Sequence, residues 1–217
     1  MPTTILFDLD GTLTDPGLGI TNSILYALGK MGFPKPPREN LYPFIGPPLT
    51  ESFQKYCGMT AAQAEEALRL YREYFSVTGL FENSVYDGIP EMLASLRNAE
   101  LRLCLATSKP EIYARRIVER FDLAPYLDFV GGATLSGERN AKADVIAYVL
   151  NETGTAADQT IMVGDRRHDV EGAAVHRIPA IGVLWGYGDE TELRTAGAAQ
   201  IASDPGELAR LILAACR

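Results

Sequence analysis

The stretch TILFDLDGTLTD, residues 4–15, decides the fold. An apolar run, Ile5-Leu6-Phe7, leads directly into two aspartates one residue apart, Asp8 and Asp10, and then into Gly11. A short apolar run closed by a turn residue suits a strand buried on both faces. Ending such a strand in two carboxylates costs solvation free energy, so the charges need a reason that packing does not supply.

The same pattern recurs along the chain. Short apolar runs at 101–106, 129–130, 160–163 and 180–184 alternate with helical patterns at 91–97, 111–121, 141–150, 169–175, 190–196 and 205–215. Val145, Ile146, Val149 and Leu150 fall on one helical face. Pro110 reads as a first-turn residue of the helix that follows it. Alternating strands and helices predict an α/β fold: a doubly wound (Rossmann-like) parallel sheet with helices on both faces.

Residues 16–85 break that rhythm. They contain no convincing strand, but helical segments at 18–31, 49–56 and 61–75, joined by turns such as Phe33-Pro34-Lys35-Pro36-Pro37 and Gly46-Pro47-Pro48. The expected organisation is a catalytic core of 1–15 and 86–217 with an all-helical cap domain, 16–85, inserted after the first strand. Such an insertion would act as a lid hinged near Asp15-Pro16 and near Tyr86-Asp87-Gly88. Eleven of the nineteen aromatics lie between Tyr26 and Tyr86. They read as the cap's own core or as a wall for stacking a base. The Gly46-Pro47-Pro48 loop reads as a specificity loop or as a plain helix-helix turn.

Composition narrows the partners. The chain has 217 residues, 47% hydrophobic and 22% charged, enough for a sizeable core and a small second domain. No run approaches the roughly 18 apolar residues of a membrane span, and no signal-peptide pattern opens the sequence. Cys57, Cys104 and Cys216 are odd in number and lack metal-binding spacing, as expected of reduced thiols in a cytoplasmic protein. A net charge of -8 disfavours a nucleic acid polymer or an anionic membrane, yet is compatible with a small phosphorylated metabolite. Monomer and homodimer are equally compatible with the sequence. Trp185 in VLWGYG is expected at the core or its rim.

A second apolar run, Ile161-Met162-Val163, also ends in acids: Gly164-Asp165-Arg166-Arg167-His168-Asp169. Doubly wound sheets bind ligands beyond the carboxyl ends of their strands. Asp8, Asp10, Asp165 and Asp169 would gather there, and carboxylates that converge require a compensating cation. Mg²⁺, hard and oxygen-seeking, is the natural choice. The run at 101–106 ends in Thr107-Ser108-Lys109, which offers hydroxyls and backbone N–H groups ahead of a helix. Of only five lysines, Lys109 and Lys142 both fall at strand-end or helix-start positions. Taken singly, Lys109, Arg166, Arg167 and His168 read as surface charge.

Asp8-Leu9-Asp10-Gly11-Thr12, Thr107-Ser108, Lys142 and Gly164-Asp165 to Asp169 resemble, in order and spacing, the four motifs of the haloacid dehalogenase-like hydrolase superfamily. The resemblance covers the whole chain, and the insertion resembles that superfamily's first type of cap. FDLDGTLTDPGLGITNS, FIGPPLTESF, VYDGI, LATSKP, GDRRHDVEGA and IGVLWGYGDETEL are similar to the phosphoglycolate phosphatase-like group, and most similar to its 5′-nucleotidase-like members.

The resemblance implies an Mg²⁺-dependent phosphatase acting through an aspartyl-phosphate. In it Asp8 is the nucleophile and Asp10 the general acid and base. Lys142 offsets charge and binds phosphate. Thr107, Ser108 and Gly11 surround the transferring phosphoryl group. Asp8, Asp165 and the backbone carbonyl of Asp10 hold the metal, with Asp169 behind them orienting its surroundings. The implied substrate is a small phosphate monoester, a nucleoside 5′-monophosphate or phosphoglycolate. A dehalogenase shares Asp8 but has no leaving oxygen for Asp10 to protonate. A phosphonate hydrolase would need a cap lysine in a motif that Lys30, Lys35 and Lys55 do not form. A sugar phosphomutase would favour a basic residue where Pro47-Pro48-Leu49 stand. A non-catalytic regulatory module would not need the complete catalytic set.

Overall fold

The computed structural model describes residue 1 and residues 3–216. The chain divides into two compact units, Met1–Thr14 with Val85–Arg217, and Asp15–Ser84.

The first unit is built on a six-stranded sheet ordered β5-β4-β1-β6-β7-β8. Its strands are β1 (Thr4–Phe7), β4 (Arg102–Pro110), β5 (Phe129–Ala133), β6 (Thr160–Gly164), β7 (Ala180–Val183) and β8 (Gln200–Ala202). Every neighbouring pair is parallel. Parallel strands need crossovers, and helices supply most of them: α4 (Ile89–Asn98), α5 (Glu111–Arg120), α6 (Lys142–Thr153), α7 (Arg167–Val175), α8 (Glu190–Ala196) and, after β8, α9 (Pro205–Ala215). Ile5, Leu6 and Phe7 have no exposed surface, so β1 is covered on both faces. On one face Leu6, Cys104, Ala106 and Met162 pack with Val145, Ile146 and Val149 of α6 and with Val170 and Ala173 of α7. Local chemistry starts the helices where the sheet needs them. Asp189 and Asp204 accept from the N–H groups of Glu192 and Glu207, each at 2.8 Å, at the starts of α8 and α9.

Two strands depart from expectation. β8 is a three-residue edge strand that the sequence reading missed. β4 runs past Ala106 to Pro110, with a register shift against β5 between Thr107 and Pro110. Pro110 therefore ends the strand in extended backbone (φ -52°, ψ 128°) instead of opening the first turn of α5. The opposite edge strand, β5, has its outer backbone groups covered by side chains. Glu111 accepts from the Gly132 N–H at 3.3 Å, while Arg139 and Arg115 donate to the Gly132 and Val130 carbonyls at 2.8 and 2.9 Å.

The second unit is helical, with α1 (Gly17–Lys30), α2 (Leu49–Cys57), α3 (Ala61–Phe75) and short 3-10 turns at Arg38–Phe44 and Gly79–Phe81. Thr60 and Gln63 close a reciprocal capping box at the start of α3. Phe44, Phe53, Tyr71 and Phe75 are buried. Phe44 meets Phe53 edge-on at 5.5 Å, and Tyr71 stacks on Phe75 at 5.2 Å. These aromatics are the unit's own core. Tyr42, Tyr56 and Phe81 are exposed. Two short strands, β2 (Thr14–Asp15) and β3 (Ser84–Val85), pair in a two-stranded sheet; only β3 falls in the stretch 16–85 that reads as free of strands in the sequence.

Candidate active site

β1 starts at the centre of the sheet. The chain then builds outward through β4 and β5 on one side and through β6, β7 and β8 on the other. The winding direction reverses between β1 and β6, and a crevice opens at the carboxyl ends of the strands at such a point. Asp8 and Asp165 follow those two strands. The Asp8 N–H donates to the Val163 carbonyl at 2.9 Å, which ties the end of β1 to β6.

Asp8, Asp165 and Asp169 form a buried cluster whose ligand oxygens lie within 4.8 Å of one another. Asp165 has no exposed surface and Asp169 only 1%. Burial, together with the charges of Asp169 and Asp8, pushes the Asp165 carboxyl well above its ordinary range. Burial also pushes Asp169 up to about 6; the Lys142 charge opposes this, and the Asp8 charge adds to it. A set of three converging hard oxygens that repel one another fits a divalent cation. Asp169 thus stands in the cluster beside Asp8 and Asp165.

Lys142, first residue of α6, reaches into this cluster. Its Nζ lies 2.9 Å from Asp8 Oδ1 and 2.7 Å from Asp169 Oδ1, and it donates to the Ala106 carbonyl at 3.0 Å. Burial alone would lower its pKa, but the two carboxylates outweigh burial and raise it, so the amine stays protonated. Gly172 of α7 makes room for the lysine stem, since a Cβ there would meet Lys142 Cγ at 2.8 Å and Cβ at 2.9 Å.

Asp165 is held from several sides. Thr12 Oγ1 donates to its Oδ1 at 3.3 Å and the Tyr187 N–H to its Oδ2 at 2.8 Å. Gly11 has φ +83°, and a Cβ there would overlap the Asp165 carboxylate. A Cβ at Gly186 would likewise strike Asp165 and the Gly11 carbonyl. Both positions therefore require glycine, one for conformation and both for close approach. Trp185 is half-buried and donates from its indole Nε1 to the Thr12 carbonyl at 2.9 Å, which places it at the rim of the core.

Asp10 does not join the acidic cluster. Its Oδ2 lies 2.8 Å from Lys109 Nζ. Burial pushes the Asp10 carboxyl up, while Lys109 pulls it back. Lys109 corrects the surface-charge reading: its side chain is only 4% exposed. The apolar run before it and the scarcity of lysine were the available signals; the register shift that redirects it was not visible. Thr107 is buried on the same strand end, its Oγ1 accepting from the Lys109 N–H at 3.2 Å, and Ser108 is half-buried beside it. Arg166 is largely covered and pairs with Glu192 at 2.9 Å. Arg167 is exposed. His168 is half-buried and its Nδ1 has no hydrogen-bond partner among the described residues; burial, with Arg167 and Arg166 nearby, lowers its pKa.

Comparison with known proteins agrees with this geometry. The family model described as haloacid dehalogenase-like hydrolase matches residues 5–183. A protein named 5′-nucleotidase from Pseudomonas aeruginosa is 46% identical over 190 residues, which cover 88% of this chain and 86% of that one. The tyrosine-protein kinase PtkA of Mycobacterium tuberculosis is 43% identical over 187 residues, 86% of this chain but 64% of the relative. Among solved structures, a predicted phosphatase from Clostridium acetobutylicum superposes with a TM-score of 0.95 at 42% identity, over 99% of both chains. Among the described residues no helix is long and apolar enough to cross a membrane. With the family model spanning both acid-ended strands and Lys142 between them, the chain belongs to the haloacid dehalogenase-like hydrolases, among their phosphatases.

Proposed function

We propose that this protein is an Mg²⁺-dependent phosphatase that hydrolyses a small phosphate monoester through an aspartyl-phosphate on Asp8, with a nucleoside 5′-monophosphate as the preferred substrate class. The observation that carries this reading is the Asp8, Asp165, Asp169 and Lys142 cluster at the reversal point of the sheet.

Asp8, Asp165 and the backbone carbonyl of Asp10 would hold the cation, with Asp169 against them. A divalent cation there would draw negative charge from the phosphoryl oxygens. Lys142 keeps the approach of a phosphate to Asp8 from being purely repulsive. An Asp8 oxygen attacks phosphorus as the bond to the leaving oxygen breaks, and Asp10 gives its proton to that oxygen. Asp10 then takes a proton from a water whose oxygen forms the new bond to phosphorus, and the Asp8–phosphorus bond breaks. Thr107, Ser108 and the backbone around Gly11 hold the remaining oxygens, the positioning on which phosphoryl transfer depends.

The core residues handle only the phosphoryl group, so substrate choice is assigned to the helical insertion. The likeness to a protein named 5′-nucleotidase favours nucleotides over phosphoglycolate. The free thiols of Cys57, Cys104 and Cys216 suit a reducing, cytoplasmic setting.

The deciding experiment is phosphate release from nucleoside 5′-monophosphates, phosphoglycolate, hexose phosphates and p-nitrophenyl phosphate, with Mg²⁺ or with chelator. Mg²⁺-dependent release with nucleotides preferred is the expected result. Preference for phosphoglycolate overturns the substrate class alone. Phosphate transfer between positions of a sugar, or from ATP to a tyrosine hydroxyl, overturns the hydrolytic reading. No turnover of any kind favours a regulatory module.

A further inference from the structure

Asp8 shares Lys142 with Asp169, while Asp10 pairs with a different lysine, Lys109. The Lys109–Asp10 pair is 2.8 Å apart, with side chains 4% and 15% exposed. Several features fix Lys109. Its N–H donates to Thr107 Oγ1 at 3.2 Å. The register of β4 against β5 shifts between Thr107 and Pro110, and irregularities of this kind re-aim side chains at strand ends. Gly132 of β5 lies so close that a Cβ there would meet the Lys109 carbonyl oxygen at 2.6 Å. The other carboxylate oxygen, Asp10 Oδ1, is buried and accepts no hydrogen bond among the described residues.

A buried ion pair is weak evidence for stability, because an apolar pair of similar volume often does as well. The pair does distinguish the two oxygens of Asp10, one anchored and one left to exchange a proton. We propose that Lys109 is a positioning residue for Asp10: it holds Oδ2, fixes the plane of the carboxyl group, and leaves Oδ1 as the oxygen that gives the proton to the leaving group and takes one from water. This inference rests on the reading of Asp10 as general acid and base. The chain then uses two lysines for two aspartates, Lys142 at the nucleophile and Lys109 at the proton carrier.

The test exploits leaving groups. p-Nitrophenolate departs without a proton, whereas phenolate, of nearly the same shape, benefits from one. First-turnover rates with p-nitrophenyl phosphate and phenyl phosphate would be measured by rapid mixing for wild type, Lys109→Met, Lys109→Arg and Asp10→Asn. General acids commonly supply about 10²-fold or more. Lys109→Met is therefore expected to slow phenyl phosphate by about 10²-fold relative to p-nitrophenyl phosphate, with KM little changed. Lys109→Arg should recover part of the loss. Equal losses on both substrates, or a rise in KM alone, would overturn the proposal by making Lys109 a structural or phosphate-binding residue. If Lys109→Met does not fold, the Arg variant decides: a selective, partial loss on phenyl phosphate supports the proposal, and an unselective one overturns it. If Asp10→Asn is itself unselective, the acid assignment fails and the proposal with it. If Asp10→Asn is selective and Lys109→Met is not, the proposal alone fails.

Discussion

Asp8 is covered, within reach of two other acids, and neutralised by a lysine that it shares with Asp169. Replacing it with asparagine removes the proposed nucleophile but leaves Lys142 its second partner and relieves one repulsion. Asp8→Asn is thus expected to lose turnover by about 10³-fold or more while melting close to wild type. Phosphate release near the wild-type rate would contradict the nucleophile assignment. Gly11→Ala should behave in the opposite way, as a folding lesion first. It puts a side chain into left-handed backbone, costing about 1–2 kcal/mol, and drives a methyl group into the Asp165 carboxylate. Urea unfolding would read that loss directly. The residues with backbone-level reasons were legible in the sequence: Asp8, Asp10, Gly11 and Asp165 interrupt apolar runs where packing offers no cause. Lys109 was not. A lysine reads the same whether solvated or paired, and the pairing with Asp10 depends on strand order and on an irregularity in β4.

At the scale of elements, α6 and α7 form one device. α6 presents Lys142 at its first position, and α7 carries Asp169 in its first turn and Gly172 against the lysine stem. Farther along, a ring nitrogen of His176 lies 2.8 Å from the Ala143 carbonyl, next to Lys142 in the chain. Gly172→Ala is expected to force these helices apart. We expect a stability loss of about 1–3 kcal/mol, the usual range for overpacking, and a fall in kcat larger than that loss explains, because Lys142 is displaced. Unfolding curves and initial rates on one preparation separate the two effects; normal kcat with lowered stability would sink the positioning role. Most elements were visible from apolar periodicity, and α3, α8 and α9 begin and end where the pattern put them. The failures are physical. β8 has three residues, too few for a pattern. Pro110 suits a helix's first turn and a strand's end equally well by φ alone; only its ψ, set by the sheet, decides.

Over the whole molecule, the strand order puts the acids at one point of the sheet and makes stability depend on pH. Asp165 and Asp169 titrate above the ordinary carboxylate value of 3.8 when folded, Asp169 at about 6. Between those values the folded chain holds protons that the unfolded chain releases. Metal-free stability is therefore present in full below the lower value and falls as pH rises through the upper one. A cation held as proposed would bind the ionised cluster, so an Mg²⁺-induced rise in melting temperature should grow over the same window, from about pH 4 to about pH 7. Melting curves with Mg²⁺ and with chelator would check this, and an Mg²⁺ effect unchanged by pH would contradict it. The gathering of acids at the strand ends was readable in the sequence; the sharing of Lys142 between Asp8 and Asp169 was not, since it depends on how closely α7 packs on α6. One more property follows from the indole of Trp185 resting on the Thr12 carbonyl. It is the chain's sole tryptophan, so the protein carries a native fluorophore wired to the loop that follows β1. Emission from unlabelled protein should shift when cation or phosphate settles there, giving an optical readout of occupancy that requires no turnover.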